Sequence, residues 1–99
     1  ATAIQHNIGV ITIVFNNHSY GNVRRDQKDR FESHFIGADL ANPDFIKIAD
    51  AFGADGYLVT SPKELKPVLS KAIDQDRPTI IEVEIEEDSE SNPWKYIMG

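Results

Sequence analysis

Two consecutive asparagines, Asn16 and Asn17, follow the apolar segment VITIVF (10–15), and no acidic or basic residue other than a histidine occurs until Arg24. The side-chain oxygen of an asparagine and the carbonyl oxygens of a turn are hard, neutral ligands that suit Mg²⁺ or Ca²⁺. Mg²⁺ usually completes its octahedron with water and phosphate oxygens. The residue types therefore indicate a metal-bridged phosphate site. That site is incomplete in this segment, because asparagine contributes no negative charge.

The residues after the asparagines predict a helix whose N-terminus favours an anion. A polar segment from Tyr20 to about Arg30 suits a short helix. The first backbone N–H groups of a helix have no intrahelical partners and attract negative charge. We therefore expect free N–H groups near Tyr20, Gly21 and Asn22, with Gly21 allowing an anion to approach the main chain closely. The alternative is a polar strand-to-helix turn without a ligand.

Three segments predict strands that lie between helices. Residues 9–15 are almost continuously apolar, which predicts a central strand buried on both faces. Residues 56–60 predict a second, short strand. Residues 79–86 alternate apolar and acidic side chains, which predicts a strand with one wet face at a sheet edge. Strands separated by helices run parallel. The fold class is α/β, with a parallel sheet of about three strands and flanking helices.

The helices between these strands carry start and stop signals. Asn42 is the expected N-cap of a helix that ends at Gly53. Ser61 and Glu64 form a capping box at the start of the next helix, in which Pro67 predicts a kink. Charged residues from Arg24 to Arg30 predict a helix face linked by salt bridges. The expected core side chains on the later helices are Phe45, Phe52 and Leu69.

Composition limits the classes of function. The chain has 99 residues, no cysteine and a net charge of −6, to which the acidic segment 82–90 contributes heavily. Disulfides and thiolate metal sites are excluded, and the acidity argues against a nucleic-acid partner. The three histidines lack zinc-ligand spacing. No apolar segment is long enough to span a membrane, and we expect a cytoplasmic protein.

Longer stretches of the chain resemble a known family. AIQHNIGVITIVFNNHSYGNVRRDQ (3–27) is similar to the cofactor-binding domain of thiamine-diphosphate-dependent enzymes, in the branch related to acetolactate synthase. The segments IGADLANPDFIKIADAFGADGYLV (36–59) and RPTIIEVEI (77–85) resemble the continuation of that domain, and NPWKYI (92–97) resembles its C-terminal tail. The resemblance covers essentially the whole chain and implies half of a doubly wound cofactor-binding domain.

The resemblance implies a role for each residue of the turn. Asn17 matches the asparagine that gives its side-chain oxygen to Mg²⁺, and Ser19 matches the position whose backbone carbonyl is the next ligand. Tyr20, Gly21 and Asn22 match the turn that contacts the diphosphate of the cofactor. The other asparagine, Asn16, matches a residue that supports the turn. None of these residues is catalytic, so this segment would contribute only anchoring of Mg²⁺ and thiamine diphosphate.

The resemblance also implies parts that this chain does not contain. In the family, a Gly-Asp-Gly motif before the first helix supplies another metal ligand, and a pyrimidine-binding domain supplies a glutamate that activates the cofactor. We read residues 1–8 as the end of a helix, 9–88 as the α/β core and 89–99 as a C-terminal tail. The chain is thus expected to be a C-terminal fragment, inactive by itself, whose partner is the missing N-terminal portion of a homo-oligomeric protein.

The function implied is that of a lyase, decarboxylase or carboligase acting on a small molecule, namely a 2-keto acid or related carbonyl compound. The covalent chemistry would come from the cofactor. Two alternatives remain open at this point. One is a non-catalytic binding or scaffolding module with a degenerate cofactor site. The other is an unrelated flavodoxin-like domain in which the Asn-Asn turn is only a turn.

Overall fold

The computed structural model describes residues 1–89, 91 and 94–97. The chain forms two compact units. The first contains residues 1–16 and 42–85, and the second contains residues 17–41 together with the chain from residue 86 onward. Part of the predicted tail (89–99) lies outside the described residues, namely 90, 92, 93, 98 and 99.

The first unit contains the sheet and most of the helices. Its elements are α1 (Thr2–Gln5), β1 (Ile11–Asn16), α3 (Phe45–Phe52), β2 (Asp55–Val59), α4 (Pro62–Gln75) and β3 (Thr79–Glu84). The second unit contains α2 (Gly21–Arg30) and α5 (Trp94–Ile97). Each predicted strand and helix is present, with ends shifted by up to three residues. Helix α1 ends at Gln5 with His6 as its C-cap, and Asn7 has the left-handed φ of 52° that follows a helix end.

The strands form a parallel sheet in the order β1-β3-β2, which confirms the α/β fold class. The strand positions within the sheet were predicted wrongly. Strand β3 is the central strand, whereas β1 is at an edge of the described sheet and leaves Phe15 63% exposed. A continuous apolar segment indicates that a strand is buried, but it does not indicate which strand, helix or other segment buries it. The described residues pair β1 on one side only.

The main hydrophobic cluster lies on one face of this sheet. Val59, Ala72, Ile81 and Val83 are buried together, and Leu69 packs against them. Because successive strand residues point to opposite faces, α4 covers the face of Val59 and Ile81 while α3 covers the face of Gly56. A Cβ at Gly56 would lie 3.1 Å from the Ala49 Cβ, so glycine permits the close approach of α3. The predicted core residue Phe52 is 53% exposed, because it lies in the last turn of α3.

Two predicted helix starts differ in detail from the structure. The N-cap of α3 is Asp44, whose side chain accepts from the N–H groups of Ile46 and Lys47 at 3.0 Å each, and Asn42 has a different role. Ser61 is the N-cap of α4 but makes no side-chain capping bond, and Glu64 accepts from the Thr60 N–H instead. Gly53 ends α3 with φ 77°, as predicted, and α4 continues through Pro67.

Candidate functional site

Asn16, the last residue of β1, is buried and bonded on every side. Its Nδ2 donates to Glu82 Oε1 on the central strand at 2.8 Å, and its Oδ1 accepts from Asn42 Nδ2 at 2.8 Å. Its carbonyl accepts from the Ile85 N–H at 3.0 Å. Asn16 is only 4% exposed, and both its side-chain amide and its backbone carbonyl make hydrogen bonds within the first unit. It fixes the carboxyl end of β1, after which the metal-ligand candidates begin.

The next residues form a tight turn around the Asn17 side chain. The Asn17 Oδ1 accepts from the Ser19 N–H at 3.2 Å, which is an Asx turn. His18, between them, has a left-handed φ of 57°. An amide oxygen has two lone pairs, so accepting this bond is compatible with binding a cation at the same atom. The turn thus brings the side-chain oxygen of Asn17 close to the Ser19 backbone.

A short antiparallel pairing orients Ser19. Ser19 lies opposite Asp39, and the flanking bonds run from the Tyr20 N–H to the Ala38 carbonyl at 2.7 Å and from the Leu40 N–H to the His18 carbonyl at 2.8 Å. This pattern makes Ser19 and Asp39 a non-hydrogen-bonded pair, in which the Ser19 N–H and C=O are directed away from Asp39. The Ser19 carbonyl is therefore on the side where its N–H contacts the Asn17 Oδ1.

Helix α2 begins directly after this pairing and is open to an anion. Its N-cap is Tyr20, no side chain caps it, and its first turn has no acidic residue. The Tyr20 N–H is donated to Ala38, so the expectation of a free amide does not hold there. At Gly21 and Asn22 the helix has the N–H groups that normally lack partners. The Asn22 side-chain oxygen accepts from Arg25 Nη2 at 2.6 Å.

The donor set fits a metal-bound diphosphate. Asn17 and Ser19 offer neutral oxygens, and the positive end of α2 favours phosphate. The Ser19 hydroxyl is buried without a hydrogen-bond partner within the described part of the chain, which is a polar atom suited to a ligand at this turn. Across the same described residues, no group of three or more histidine, cysteine or acidic side chains could bind a metal. A cation here would need further negative ligands from the diphosphate or from another segment.

The charged residues of α2 do not form the expected salt-bridged face. Arg30 and Asp26 alone pair along the helix, at 4.0 Å, within the region that the structure describes. Arg24 instead contacts Asp39 at 3.2 Å, Glu87 at 3.2 Å and Asp88 at 3.3 Å. Two residues of the acidic segment 82–90 thus form ion pairs with an arginine.

Sequence reasoning missed the side chains that support the end of β1. Glu82 was expected to face water as part of an alternating strand, and Asn42 was expected to cap α3. Both side chains bind Asn16. Glu82 lies opposite Val14 in the sheet, and the register partner of Asn16 is Glu84, so the Asn16–Glu82 contact is diagonal and only the register between β1 and β3 reveals it.

Comparison with known proteins identifies the class. Residues 1–83 match the family described as thiamine pyrophosphate enzyme, C-terminal TPP binding domain. The chain belongs to this family, and the resemblance to thiamine-diphosphate-dependent enzymes is confirmed. Thiamine diphosphate is the cofactor of the family. The flavodoxin-like alternative is thereby excluded.

Relatives within the family catalyse several reactions. The chain is 46% identical over 83 residues to the mitochondrial acetolactate synthase catalytic subunit of Aspergillus candidus, covering 84% of this chain and 12% of that protein. It is 36% identical over 87 residues to the pyruvate oxidase of Lactiplantibacillus plantarum, covering 86% of this chain and 14% of that protein. The chain therefore spans less than a fifth of the length of these relatives.

A solved structure shows the same fold. The thiamine diphosphate-dependent 4-hydroxybenzoylformate decarboxylase of Rhodococcus jostii superposes with a TM-score of 0.77 at 30% identity, over 90% of this chain and 17% of that one. Throughout the described part of the chain, no helix is both long and apolar enough to cross a membrane.

Proposed function

We propose that this chain is the C-terminal part of the cofactor-binding domain of a thiamine-diphosphate- and Mg²⁺-dependent enzyme, and that it anchors the metal and the diphosphate. The enzyme would act on 2-keto acids or related carbonyl compounds by decarboxylation, carboligation or C–C bond cleavage. The observation that carries the proposal is the turn in which the Asn17 Oδ1 lies 3.2 Å from the Ser19 N–H, immediately before an uncapped helix.

The proposed roles follow from this geometry. Asn17 binds the metal through its side-chain oxygen and Ser19 through its backbone carbonyl. Tyr20, Gly21 and Asn22 form the diphosphate contact, in which the N–H groups of Gly21 and Asn22 donate to phosphate oxygens. Bound thiamine diphosphate supplies the nucleophilic carbon and the electron sink of the reaction. This chain supplies position and charge balance, and no catalytic acid or base.

We further propose that the chain acts as part of a longer protein that includes a pyrimidine-binding domain and assembles as a homo-oligomer in the cytoplasm. The chain covers 12% to 17% of the relatives and solved structures that it matches. Ile13 and Phe15 of edge strand β1 are 38% and 63% exposed. Exposed apolar surface of this kind is normally covered by protein. In the relatives that it resembles, further domains are available to cover it.

The proposal is tested by binding to the full-length protein. Calorimetric titration of thiamine diphosphate with and without Mg²⁺ should show binding that requires the metal. Asn17→Ala should abolish this Mg²⁺-dependent binding. The matched control is Asn7→Gly, which removes the same side chain at a left-handed position that glycine tolerates. It should bind like the wild type.

A second variant distinguishes a role of the Ser19 side chain from a role of its backbone carbonyl. Ser19→Ala removes only the hydroxyl and keeps the carbonyl, so Mg²⁺-dependent binding should persist. If Asn17→Ala binds with unchanged affinity, the metal assignment is wrong. If the wild-type full-length protein does not bind thiamine diphosphate at all, the alternative of a non-catalytic module with a degenerate site is correct.

A further inference from the structure

Arg24 is a largely buried charged side chain of the second unit with three acidic neighbours. It lies in the first turns of α2, three residues after Gly21, and only 14% of its side chain is exposed. Its guanidinium contacts three carboxylates, on Asp39, Glu87 and Asp88, at 3.2–3.3 Å. Of these three contacts, the one from Nη1 to Asp39 Oδ1 is a hydrogen bond, whereas the two from Nε to Glu87 and Asp88 are ion pairs without hydrogen-bond geometry.

The contact with Asp39 connects Arg24 to the candidate metal turn. Asp39 is the residue opposite Ser19 in the short antiparallel pairing, and its neighbours make the two backbone bonds of that pairing. Arg24 also lies over the ring of Phe35, 4.0 Å from its centroid. The segment 35–39 is thus fixed to α2 at two points, by a cation–π contact and by an ion pair.

The contacts with Glu87 and Asp88 connect the same side chain to the chain after the last strand. Asp88 has a left-handed φ of 62°, and 32% of its side chain is exposed. The neighbouring Arg25 donates from Nη1 to the Ser91 carbonyl at 3.3 Å. Two consecutive arginines of α2, the helix that begins the candidate diphosphate site, therefore contact Glu87, Asp88 and Ser91.

From these contacts we infer that Arg24 is a positioning residue for the metal and diphosphate site, an inference that rests on the proposed function. It acts through Asp39, which keeps the pairing of residues 18–20 with 38–40 closed and so keeps the Ser19 carbonyl directed toward the metal. Arg24 does not itself touch the cofactor in this account.

The test compares variants of the full-length protein. Arg24→Met removes the charge and the donors at similar length, and the matched control Arg30→Met acts on the same helix, at an arginine that is 72% exposed and whose contact is at 4.0 Å. Residues that orient metal ligands typically change metal affinity ten- to a hundredfold when replaced. We expect Arg24→Met to raise the Mg²⁺ concentration for half-maximal thiamine diphosphate binding roughly tenfold, and Arg30→Met to leave it unchanged.

Hydrogen exchange without cofactor gives a second readout. In Arg24→Met, the amides of Tyr20 and Leu40 should exchange faster than in the wild type, while those of β3 should not. Arg24→Lys keeps the charge but lacks the planar set of donors, so it should remain within about threefold of Arg24→Met. If Arg24→Met does not fold, Asp39→Asn, which removes one exposed carboxylate partner, should show both effects at smaller size.

The outcomes distinguish this inference from the function on which it rests. Wild-type protein that does not bind Mg²⁺ and thiamine diphosphate refutes the proposed function and the role of Arg24 together. If the wild type binds and Arg24→Met needs the same Mg²⁺ concentration for half-maximal binding as Arg30→Met, only the role of Arg24 is overturned. The inference is equally overturned if Arg24→Lys restores full affinity, or if affinity falls while the Tyr20 and Leu40 amides stay protected.

Discussion

Replacing Asn16 by aspartate changes one atom type at the end of β1 and should be costly. In the native chain the Asn16 Nδ2 donates to Glu82 Oε1 at 2.8 Å, while its Oδ1 accepts from Asn42. In Asn16→Asp the donor becomes a carboxylate oxygen facing another carboxylate. The bond to Asn42 can remain, so the variant isolates the contact with Glu82.

The magnitude follows from two terms. Losing a hydrogen bond to a charged acceptor costs about 1.5–3 kcal/mol. Two unit charges at the 2.8 Å of the native contact repel by about 6 kcal/mol at an effective dielectric constant of about 20. Glu82 is only half-buried and can turn toward water, which relieves most of the repulsion. We therefore expect local destabilisation of about 2–4 kcal/mol at pH 8.

The pH dependence has a definite sign. Acidification lets the pair of carboxyl groups share a proton, which removes the repulsion and supplies a donor again. The folded variant binds this proton more tightly than the unfolded chain, so its stability relative to the wild type should rise as the pH falls from 8 to 5.

The assay is hydrogen exchange on the full-length protein, read as opening free energies of peptides covering β1 and β3 at both pH values. Asn22→Asp is the control, because its side-chain oxygen accepts from Arg25 and the new charge would be favourable there. Equal destabilisation of Asn16→Asp at pH 5 and pH 8, or none at either, would refute the assigned contact with Glu82.

Three further substitutions test other parts of the account. Asp44→Ala removes the side chain that caps α3 through Ile46 and Lys47, and should lower the opening free energy of α3 by about 1–2 kcal/mol in hydrogen exchange. Asn42→Ala, at the position predicted from sequence as that cap, should leave α3 unchanged and instead reduce protection at the end of β1. Gly56→Ala places a Cβ 3.1 Å from the Ala49 Cβ and should destabilise β2 by about 1–3 kcal/mol; an unchanged opening free energy there would contradict the packing of α3 on the sheet.

Much of the fold follows from local patterns in the sequence. The apolar segment before Asn16, the glycine at position 53 and the alternation of residues 79–84 each predict an element that is present. What failed was the position of each strand within the sheet. Apolar side chains in β1 and acidic ones in β3 predict that β1 is central and β3 is at an edge, whereas β3 is central and β1 is at an edge of the described sheet. Strand order depends on contacts between distant segments, which a local pattern does not contain.

The candidate site also combines features that the local sequence predicts with contacts that it does not predict. The oxygens of Asn17 and Ser19 and the start of α2 are local features, and the sequence predicts them together. Their supports come from elsewhere in the chain: Asn42 and Glu82 bind Asn16, and Asp39 connects Arg24 to the Ser19 pairing. Side chains of these types are ordinary caps, strand residues or loop residues in a single sequence, so only the folded arrangement reveals their role.

The most direct measurement is a crystal structure of the full-length protein with thiamine diphosphate and Mn²⁺ in place of Mg²⁺, in which the metal is located by its anomalous scattering. We expect a metal bound to both the Asn17 Oδ1 and the Ser19 carbonyl, at distances of about 2.1 Å, and the diphosphate at the start of α2. This is the prediction under test. A metal bound elsewhere, or a diphosphate held without contact to residues 17–22, would contradict it.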